Sequence, residues 1–342
     1  MIDRVFFFGT PGSIGGAATE LWHTLRLFRE QFPETELTLI PAWEIDQESQ
    51  LKCEAMDAAV DVAHDANGLA EIEGLAGATV ISLATGEFWN AAPTLRKIKC
   101  KLVWLNCMCW LSQQELSFAK TFGPCDCYVF QSNFQRDCLA PRLQQFGADN
   151  FRRIRGAFYP DQFPYGPRPH APDTEFYVGT LCRPDPQKLA RNHWQIYAGI
   201  PYAKLRPAVM GWDSQMAATI GQPPTLSQAY PAGFMTSQAF LASLHAMIPT
   251  GTMRENWPRI ALEAMAAGVP IIARNHSGWG ELLADGAGIL CKDEQEMAYK
   301  AAWLAYNEPD RIMQADRGLV MVRLLSDPDA ITADWKAALE SL

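Results

Sequence analysis

Short apolar runs alternate with longer amphipathic stretches along the first half of the chain. Five of these runs have the length and composition of buried parallel strands, and they fall at residues 5–9, 37–40, 78–83, 102–105 and 127–131. Residues 17–32 carry leucine and phenylalanine at helical spacing, which predicts an amphipathic helix directly after the first strand. This alternation predicts a parallel sheet with helices on both faces.

A proline-rich segment separates this pattern from a second one of the same kind. Five prolines fall between residues 160 and 172, which is typical of a linker. Further strands are predicted at 176–179, 208–211, 246–248, 269–273 and 288–290, before a mostly helical tail. We therefore predict an α/β fold of two Rossmann-like, doubly wound domains facing a cleft. The expected division is an N-terminal domain at 1–170, a C-terminal domain at 171–320 and a tail at 321–342 that packs back on the N-terminal domain.

The composition narrows the classes of partner and location. The net charge of −9 argues against broad attraction to nucleic acid or anionic lipid. No apolar run is long enough to cross a bilayer, and the N-terminus lacks the features of a signal peptide. Nine cysteines without a regular framework predict a reducing, cytoplasmic location. The cysteines at 107, 109, 125 and 127 lie in apolar segments, which favours buried thiols over a metal site, and we predict no metal or other cofactor.

Two glutamates eight residues apart are the most informative feature of the chain. Glu255 precedes a predicted helix and Glu263 lies inside it. Asn256 suits the N-cap and Pro258 the first turn, and Gly-Val-Pro at 268–270 ends the helix. Free N–H groups at the helix start predict an anion site between the carboxylates. This layout suits a sugar nucleotide, although an ordinary surface helix with two solvated glutamates is the alternative.

Two other elements fit the same kind of ligand. The glycine-rich loop at 9–16 matches neither the dinucleotide nor the Walker pattern, but Gly15 and Gly16 allow an anion or sugar to approach a helix start closely. A merely tight turn is the alternative there. Arg183 and Lys188 follow the first strand of the second domain and both can reach a diphosphate. Taken alone, two cations in a loop are usually just solvated, so this pair gains weight only together with Glu255 and Glu263.

The second half of the chain resembles the retaining glycosyltransferases of the GT-B fold, especially the large family 4. The resemblance is carried by E-x7-E at 255–263, by L-E-A-M-A-A-G-V-P at 262–270, by G-W-G-E-L-L at 278–283 and by D-G-A-G at 285–288. It is specific over residues 176–290 and only architectural over much of the first half. It implies a hexosyltransferase-type enzyme that moves a sugar from a UDP or GDP donor to an acceptor hydroxyl, with retention and without a metal.

The resemblance also implies roles for individual residues. The catalytic set would be Glu255, Arg183 and Lys188. The donor-binding set would be Gly15, Gly16, Asn256, Trp257, Pro258, Glu263 and His276.

This chain departs from the family in two places, which leaves the donor sugar and the acceptor open. The family often has E-G-F-G where this chain has E-N-W-P at 255–258, so Trp257 is expected to narrow the sugar pocket and Pro258 to remove a backbone donor. The family commonly has a histidine at the strand end that corresponds to 104–110, and this chain has none. Asn106 and Trp110 are the residues predicted to contact the acceptor there. The neighbouring aromatic residues 88, 89 and 104 are better explained by core packing.

Three alternatives remain open. A glycosyltransferase of the same fold that acts on a nucleic-acid base would use the small basic clusters at 96–101 and 152–155. A sugar-nucleotide epimerase would need an acid–base set in the cleft, and the sequence offers no convincing carboxylate–histidine set. A non-catalytic binding module would bind a sugar nucleotide without turnover.

Overall fold

The computed structural model describes residues 3–12, 15–63, 65–83 and 86–342. The chain divides into two compact units, Met1–Phe158 with Ser326–Leu342, and Tyr159–Leu325. The first division falls ahead of the proline-rich segment, at 158 and not at 170, so that segment belongs to the second unit. The return to the first unit falls at 326 and not at 321.

The first unit contains a seven-stranded parallel sheet with helices between successive strands. Its elements up to residue 158 are β1 (Arg4–Gly9), α1 (Gly16–Gln31), β2 (Glu36–Pro41), α2 (Gln47–Ala55), β3 (Ala58–Val60), α3 (Ala66–Glu71), β4 (Thr79–Leu83), α4 (Phe88–Lys97), β5 (Lys101–Leu105), α5 (Gln113–Phe122), β6 (Cys127–Phe130), α6 (Asn133–Gln144) and β7 (Phe151–Arg153). The strand order is β3-β2-β1-β4-β5-β6-β7. The five predicted strands are all present, and the edge strands β3 and β7 are additional.

β1 lies in the interior of this sheet, between β2 and β4, and its apolar run explains why. Phe6 and Phe8 pack into the core on one face, whereas Val5 and Phe7 pack into the core on the other face. Successive side chains of a strand point to opposite faces, so a continuous apolar run suits a strand that is covered on both sides. The phenylalanine run at the N-terminus therefore fixes β1 as a buried interior strand.

The second unit repeats the same winding. Its elements are β8 (Phe176–Leu181), α7 (His193–Ala198), β9 (Leu205–Met210), α8 (Ser214–Ile220), β10 (Gln228–Tyr230), α9 (Ser237–Ala242), β11 (Ala246–Met247), α10 (Arg259–Ala267), β12 (Ile272–Arg274), α11 (Ser277–Leu282), β13 (Ile289–Cys291), α12 (Glu294–Tyr306) and α13 (Glu308–Leu325). β10-β9-β8-β11 form one parallel sheet, and a parallel bridge from Met247 to Ile271 leads on to the β12–β13 pair.

The last helix, α14 (Pro328–Glu340), belongs to the first unit. Its Trp335 is 2% exposed, and its ring lies edge-on to Phe28 of α1 at a centroid distance of 5.3 Å. The predicted break near Asp327 is present, because Asp327 caps α14 through a bond from the Asp329 N–H. None of the helices in the described ranges is both long and apolar enough to cross a membrane.

Candidate functional site

The second unit has its topological switch point between β8 and β11. These strands are neighbours, but the chain continues from β8 towards β9 on one side and from β11 towards β12 on the other. Crevices outside the carboxyl ends of such strands are the preferred ligand sites of doubly wound sheets. A small pocket lies here, and its lining includes Cys182, Lys188, Gly251, Glu255, Ile260 and Trp279.

An ion pair lies in this pocket. Lys188 Nζ donates to Glu255 Oε1 at 2.6 Å, and the two side chains are only 19% and 26% exposed. The lysine comes from the loop after β8 and the glutamate from the loop after β11. Partial burial strengthens their attraction relative to water and raises the cost of removing one partner. The structure therefore brings together two of the three residues predicted to be catalytic.

Arg183, the third of them, lies at the edge of the pocket. It follows Cys182, which lines the pocket, and its own side chain is 54% exposed. Its guanidinium is 3.8 Å from the Asp185 carboxylate. Asp185 also accepts a hydrogen bond from the Gln187 N–H, which fixes the turn that leads to Lys188. The two predicted diphosphate ligands thus differ, since the lysine is inside the pocket and the arginine is in contact with solvent.

The loops after β8 and β11 touch closely behind the ion pair. A Cβ at Gly251 would be 2.5 Å from the Lys188 carbonyl oxygen, so only glycine fits there without a shift. Beside it, His193 Nδ1 and Thr250 Oγ1 are 2.7 Å apart. Burial lowers the pKa of His193 to about 3, so the imidazole is neutral at physiological pH. The sequence did not single out His193, Thr250 or Gly251.

The start of α11 holds the backbone of Glu255. Its carbonyl accepts a hydrogen bond from the Gly278 N–H at 2.7 Å, and its own N–H donates to Ser277 Oγ at 3.3 Å. A Cβ at Gly278 would be 1.7 Å from the Asn256 carbonyl oxygen. Glycine is therefore required where the two segments meet, and this contact positions the first glutamate of the E-x7-E pattern.

The predicted start of α10, the helix that carries Glu263, was wrong by a few residues. α10 begins at Arg259, with Pro258 as the preceding residue and no side-chain cap. The extended ψ of 102° at Pro258 keeps Asn256 out of the helix, so Asn256 is not the N-cap and Pro258 is not in the first turn. The contact with α11 has overridden the local preference of asparagine for the cap. The predicted end is confirmed, because Gly268 adopts the left-handed conformation with φ of 81°.

Glu263 lies within α10, as predicted, and is partly buried. Burial raises its pKa to about 7, against the opposing effect of Arg259. The carboxyl group of Glu263 thus changes its protonation in the physiological pH range.

Two buried nitrogen atoms belong to Trp257, just before α10, and to His276, just before α11. Trp257 is 6% exposed and does not line the pocket, which has Trp279 in its lining instead. The Trp257 indole Nε1 and the His276 Nε2 are both buried and have no hydrogen-bond partner within the described part of the chain. An unsatisfied buried polar group is costly, so each of these nitrogens gains from a hydrogen-bond partner.

The other predicted residues lie in the first unit. Gly15 directly precedes α1 with φ of 113°, and Gly16 is the first helical residue. Residues 13 and 14 of the glycine-rich loop lie outside the described residues. Asn106 accepts from the Met108 N–H at 2.7 Å and donates to the Trp110 carbonyl at 3.2 Å, so its amide holds the loop after β5. The Trp110 side chain is 46% exposed.

The remaining aromatic and cysteine residues of interest form the core. Phe88, Trp89 and Trp104 are at most 5% exposed and pack on one another, which confirms core packing for all three. Cys125 and Cys127, the second of the two C-x-C pairs, are buried free thiols. Burial raises the pKa of Cys127 to about 12. Among the described residues, no group of three or more His, Cys, Asp or Glu side chains is arranged to hold a metal ion.

Comparison with known proteins gives one family match and several structural likenesses. Residues 233–316 match the family model for glycosyl transferases group 1. This segment contains Glu255, Glu263 and His276 and ends in α13. No curated protein sequence matches the chain significantly.

Solved structures resemble this chain over nearly its full length. HepE of Anabaena, crystallised with UDP and glucose, has a TM-score of 0.75 and 16% identity, covering 99% of this chain and 100% of that one. A glycosyltransferase from Rickettsia africae has a TM-score of 0.73 and 12% identity over 99% and 98%. Sucrose-phosphate synthase from Thermosynechococcus elongatus has a TM-score of 0.73 and 13% identity, covering 99% of this chain and 98% of that one. At these identities the likeness establishes the fold, and the chain has the α/β GT-B fold predicted from its sequence.

Proposed function

We propose that this protein is a retaining glycosyltransferase that moves a hexosyl group from a nucleotide-diphosphate donor to an acceptor hydroxyl. The observation that carries the proposal is the contact between Lys188 and Glu255 at the carboxyl ends of β8 and β11. It joins a cation that can bind phosphate to a carboxylate that can accept sugar hydroxyls, at the place where doubly wound sheets bind ligands. The match of residues 233–316 to glycosyl transferases group 1 supports the same conclusion.

The proposed donor is a UDP sugar. HepE of Anabaena, which shares the fold, has been crystallised with UDP and with UDP-glucose. In our proposal Glu263 binds the ribose hydroxyls, and Arg183 and Lys188 bind the diphosphate together with the backbone at 256–258. Glu255 and His276 bind the sugar. Trp257 does not line the pocket, so we assign it no direct contact with the sugar.

In the proposed reaction, the bond between the anomeric carbon and the β-phosphate oxygen breaks while the acceptor oxygen attacks the same face. The departing diphosphate takes the acceptor's proton, so no separate base is needed. The work of the protein is then positioning and charge stabilisation. Lys188 stabilises the charge that develops on the leaving diphosphate, and Glu255 orients the sugar.

In the first unit, we propose that Gly15 and Gly16 provide close backbone approach for the substrates and that Trp110 offers its exposed ring to the acceptor. Asn106 then acts by holding the loop that carries Trp110. We also propose a cytoplasmic location, which is supported by the nine cysteines without a regular spacing framework.

A thermal-shift screen tests the donor proposal. UDP, GDP, ADP and their glucose and N-acetylglucosamine conjugates are added to the protein, and the unfolding temperature is measured. A ligand that binds the folded state raises that temperature with its saturation. We expect UDP and at least one UDP sugar to stabilise the protein and GDP and ADP to do so less. The absence of any response would contradict the proposal and favour a protein without a sugar-nucleotide site.

Two further measurements test the reaction itself. With the stabilising donor, release of UDP in the presence of acceptor candidates measures turnover, which a binding module would lack. The anomeric coupling constant of the product, followed by NMR from the first turnovers, tests retention. An inverted product would overturn the retaining mechanism, and conversion of the donor to its epimer would favour the epimerase.

A further inference from the structure

An open groove lies on the surface of the second unit, away from the pocket of Lys188 and Glu255. It runs between α7 and α12, has a volume of about 450 Å³ and shares no lining residue with that pocket. Its lining includes the polar or aromatic residues Asn192, Gln195, Glu294, Gln295 and Tyr299 beside apolar ones such as Ile196. The volume lies in the range of sites for small organic ligands.

The lining of this groove can form hydrogen bonds with hydroxyl groups. Three amides and one carboxylate offer donors and acceptors without a fixed positive charge. Asn192 Nδ2 donates to Glu294 Oε2 at 2.8 Å, which holds these two side chains in a defined relation. A planar amide paired with a carboxylate can donate to one hydroxyl oxygen and accept from a neighbouring hydroxyl. The groove is therefore suited to a polar, uncharged ligand with several hydroxyls.

An exposed aromatic stripe continues from the groove along α12. Tyr299, Trp303 and Tyr306 are 60%, 45% and 53% exposed. They follow one another at i, i+4 and i+7, so all three lie on one face of the helix. With a rise of about 1.5 Å per residue, the stripe is roughly 10 Å long, which suits a few linked sugar rings better than one.

The last two rings of the stripe are held in place. The Trp303 indole N–H donates to Asp310 Oδ2 at 3.0 Å. The Tyr306 ring packs edge-on against Tyr202 at a centroid distance of 5.2 Å. Exposed rings with fixed orientation lose little entropy on binding, so they offer ready stacking faces.

The charge around the stripe decides between a neutral and an anionic partner. The groove lining contains one residue that is charged at neutral pH, Glu294, and no lysine or arginine. Asp293, Glu296 and Asp310 lie on or beside α12, against Lys292 and Lys300. A surface for anionic lipid or a phosphate-rich polymer would need an excess of basic residues. This surface therefore disfavours an anionic ligand and is compatible with an uncharged one.

The geometry points to a binding site for a neutral saccharide chain, formed by the groove between α7 and α12 and by the stripe of Tyr299, Trp303 and Tyr306. Sugar hydroxyls would bind the amides and Glu294, and the apolar faces of the sugar rings would stack on the aromatic rings. The site would hold a chain without taking part in its modification. The inference does not rest on the proposed transfer reaction, because binding is measured without a donor.

Calorimetric titration with linear gluco-oligosaccharides of the malto and cello series tests this site. We expect the wild-type protein to bind at least one series, with affinity that rises with chain length. Tyr299→Ala should weaken binding by about fivefold or more, since a stacked ring contributes on that order. Phe234→Ala is the matched control, because Phe234 is 61% exposed in the same unit but lies outside the groove lining and the stripe. It should leave the affinity unchanged.

Repeating the titration with Glu255→Gln and with saturating UDP separates this site from the donor pocket, and the affinity should not change in either case. The inference is overturned if neither series binds, if Tyr299→Ala and Phe234→Ala behave alike, or if binding is lost in Glu255→Gln. Vesicles of phosphatidylcholine with phosphatidylglycerol test the rival surface. Binding to these vesicles that Tyr299→Ala abolishes would also overturn it, in favour of a membrane contact.

Discussion

The two units wind their sheets in the same way, but they differ at the switch point. In the first unit, β1 ends in a glycine-rich loop, and the Trp22 indole N–H closes the loop by donating to the Gly12 carbonyl at 2.9 Å. In the second unit, the corresponding strands end in loops that meet through the Lys188–Glu255 ion pair. The same topology thus presents backbone in one unit and a charged pair in the other. The fold provides the position of a site, and the side chains in the connecting loops decide its chemistry.

The largest expected effect comes from Lys188→Ala. The change removes the cation from the switch point of the second unit and leaves Glu255 partly buried without it. We expect turnover of the donor to fall by about a hundredfold or more, because an electrostatic contact to the leaving group is lost. Steady-state kinetics with the donor identified by thermal shift measures this loss.

Two variants provide controls for Lys188→Ala. Lys188→Arg keeps the charge and should retain more activity. Lys292→Ala removes an exposed lysine of the same unit that does not line the pocket and should be neutral. Equal activity in wild type and Lys188→Ala would contradict the claim that the charged pair distinguishes the switch point of the second unit from that of the first.

Gly278→Ala should have the next largest effect. The new Cβ would collide with the Asn256 carbonyl and push the segment that carries Glu255 away from α11. We expect a loss of about 3 kcal/mol in the free energy of unfolding and weaker donor binding, because backbone cannot yield as a flexible side chain does. Gly166→Ala is the control, since nothing lies within 4 Å of a Cβ there. Denaturant unfolding measures the stability, and a donor titration measures the binding. Similar values for Gly278→Ala and Gly166→Ala would contradict a contact between Gly278 and Asn256 that requires glycine.

Gly15→Ala tests the glycine-rich loop of the first unit. Gly15 has φ of 113° and ψ of 152°, a region that is nearly confined to glycine, so the cost in stability should be about 1–3 kcal/mol. Gly123→Ala is a matched control with φ of 81° and ψ of 172° and nothing within 4 Å of its Cβ. We expect both variants to lose similar stability but only Gly15→Ala to lose turnover. An equal loss of turnover in the two would make the loop a structural turn.

The smallest effect concerns the two carboxyl groups with raised pKa, one in each unit. Burial raises the pKa of Glu263 to about 7 and that of Glu115 to about 8. Between the unfolded value of 4.5 and these values, the folded state binds more protons than the unfolded state. The free energy of unfolding therefore falls as pH rises through that window and levels off above it.

Replacing each group separates the two contributions. Glu263→Gln should remove the part of the pH dependence of the unfolding free energy that ends near pH 7. Glu115→Gln should remove the part that ends near pH 8. Saturating UDP should flatten the dependence that belongs to Glu263 and leave that of Glu115 unchanged, because only Glu263 is proposed to bind the ribose. Unfolding curves from pH 4 to 9, with and without UDP, test both expectations. An unchanged curve for Glu263→Gln would contradict the burial of its charge.

The sequence predicted the architecture well because its central strands are long and apolar. The strands that it did not reveal are β3, β7 and β10, each only three residues long and partly exposed at a sheet edge. Such strands are defined by the neighbour they pair with and not by their own composition. The division at 158 differs from the expected boundary at 170, since the turn Pro160–Gln162 in the proline-rich segment packs on α10 of the second unit.

The candidate site was predictable where its residues recur in a recognisable spacing. Glu255, Glu263 and Lys188 belong to such a pattern, whereas the contact of His193 with Thr250 joins residues 57 apart and has no local signal. The start of α10 was mispredicted for the same kind of reason. Asn256 prefers a cap position locally, but the contact with Gly278 takes it out of the helix.

The return of the chain to the first unit has a consequence for biosynthesis. The second unit is continuous in sequence, so it is complete when residue 325 has left the ribosome, whereas the first unit must wait for α14. Until Trp335 reaches Phe28, the apolar face of α1 that α14 covers stays open to water or to a chaperone. We expect the second unit to acquire protease resistance before the first during translation. The order of assembly would then be the reverse of the order of synthesis.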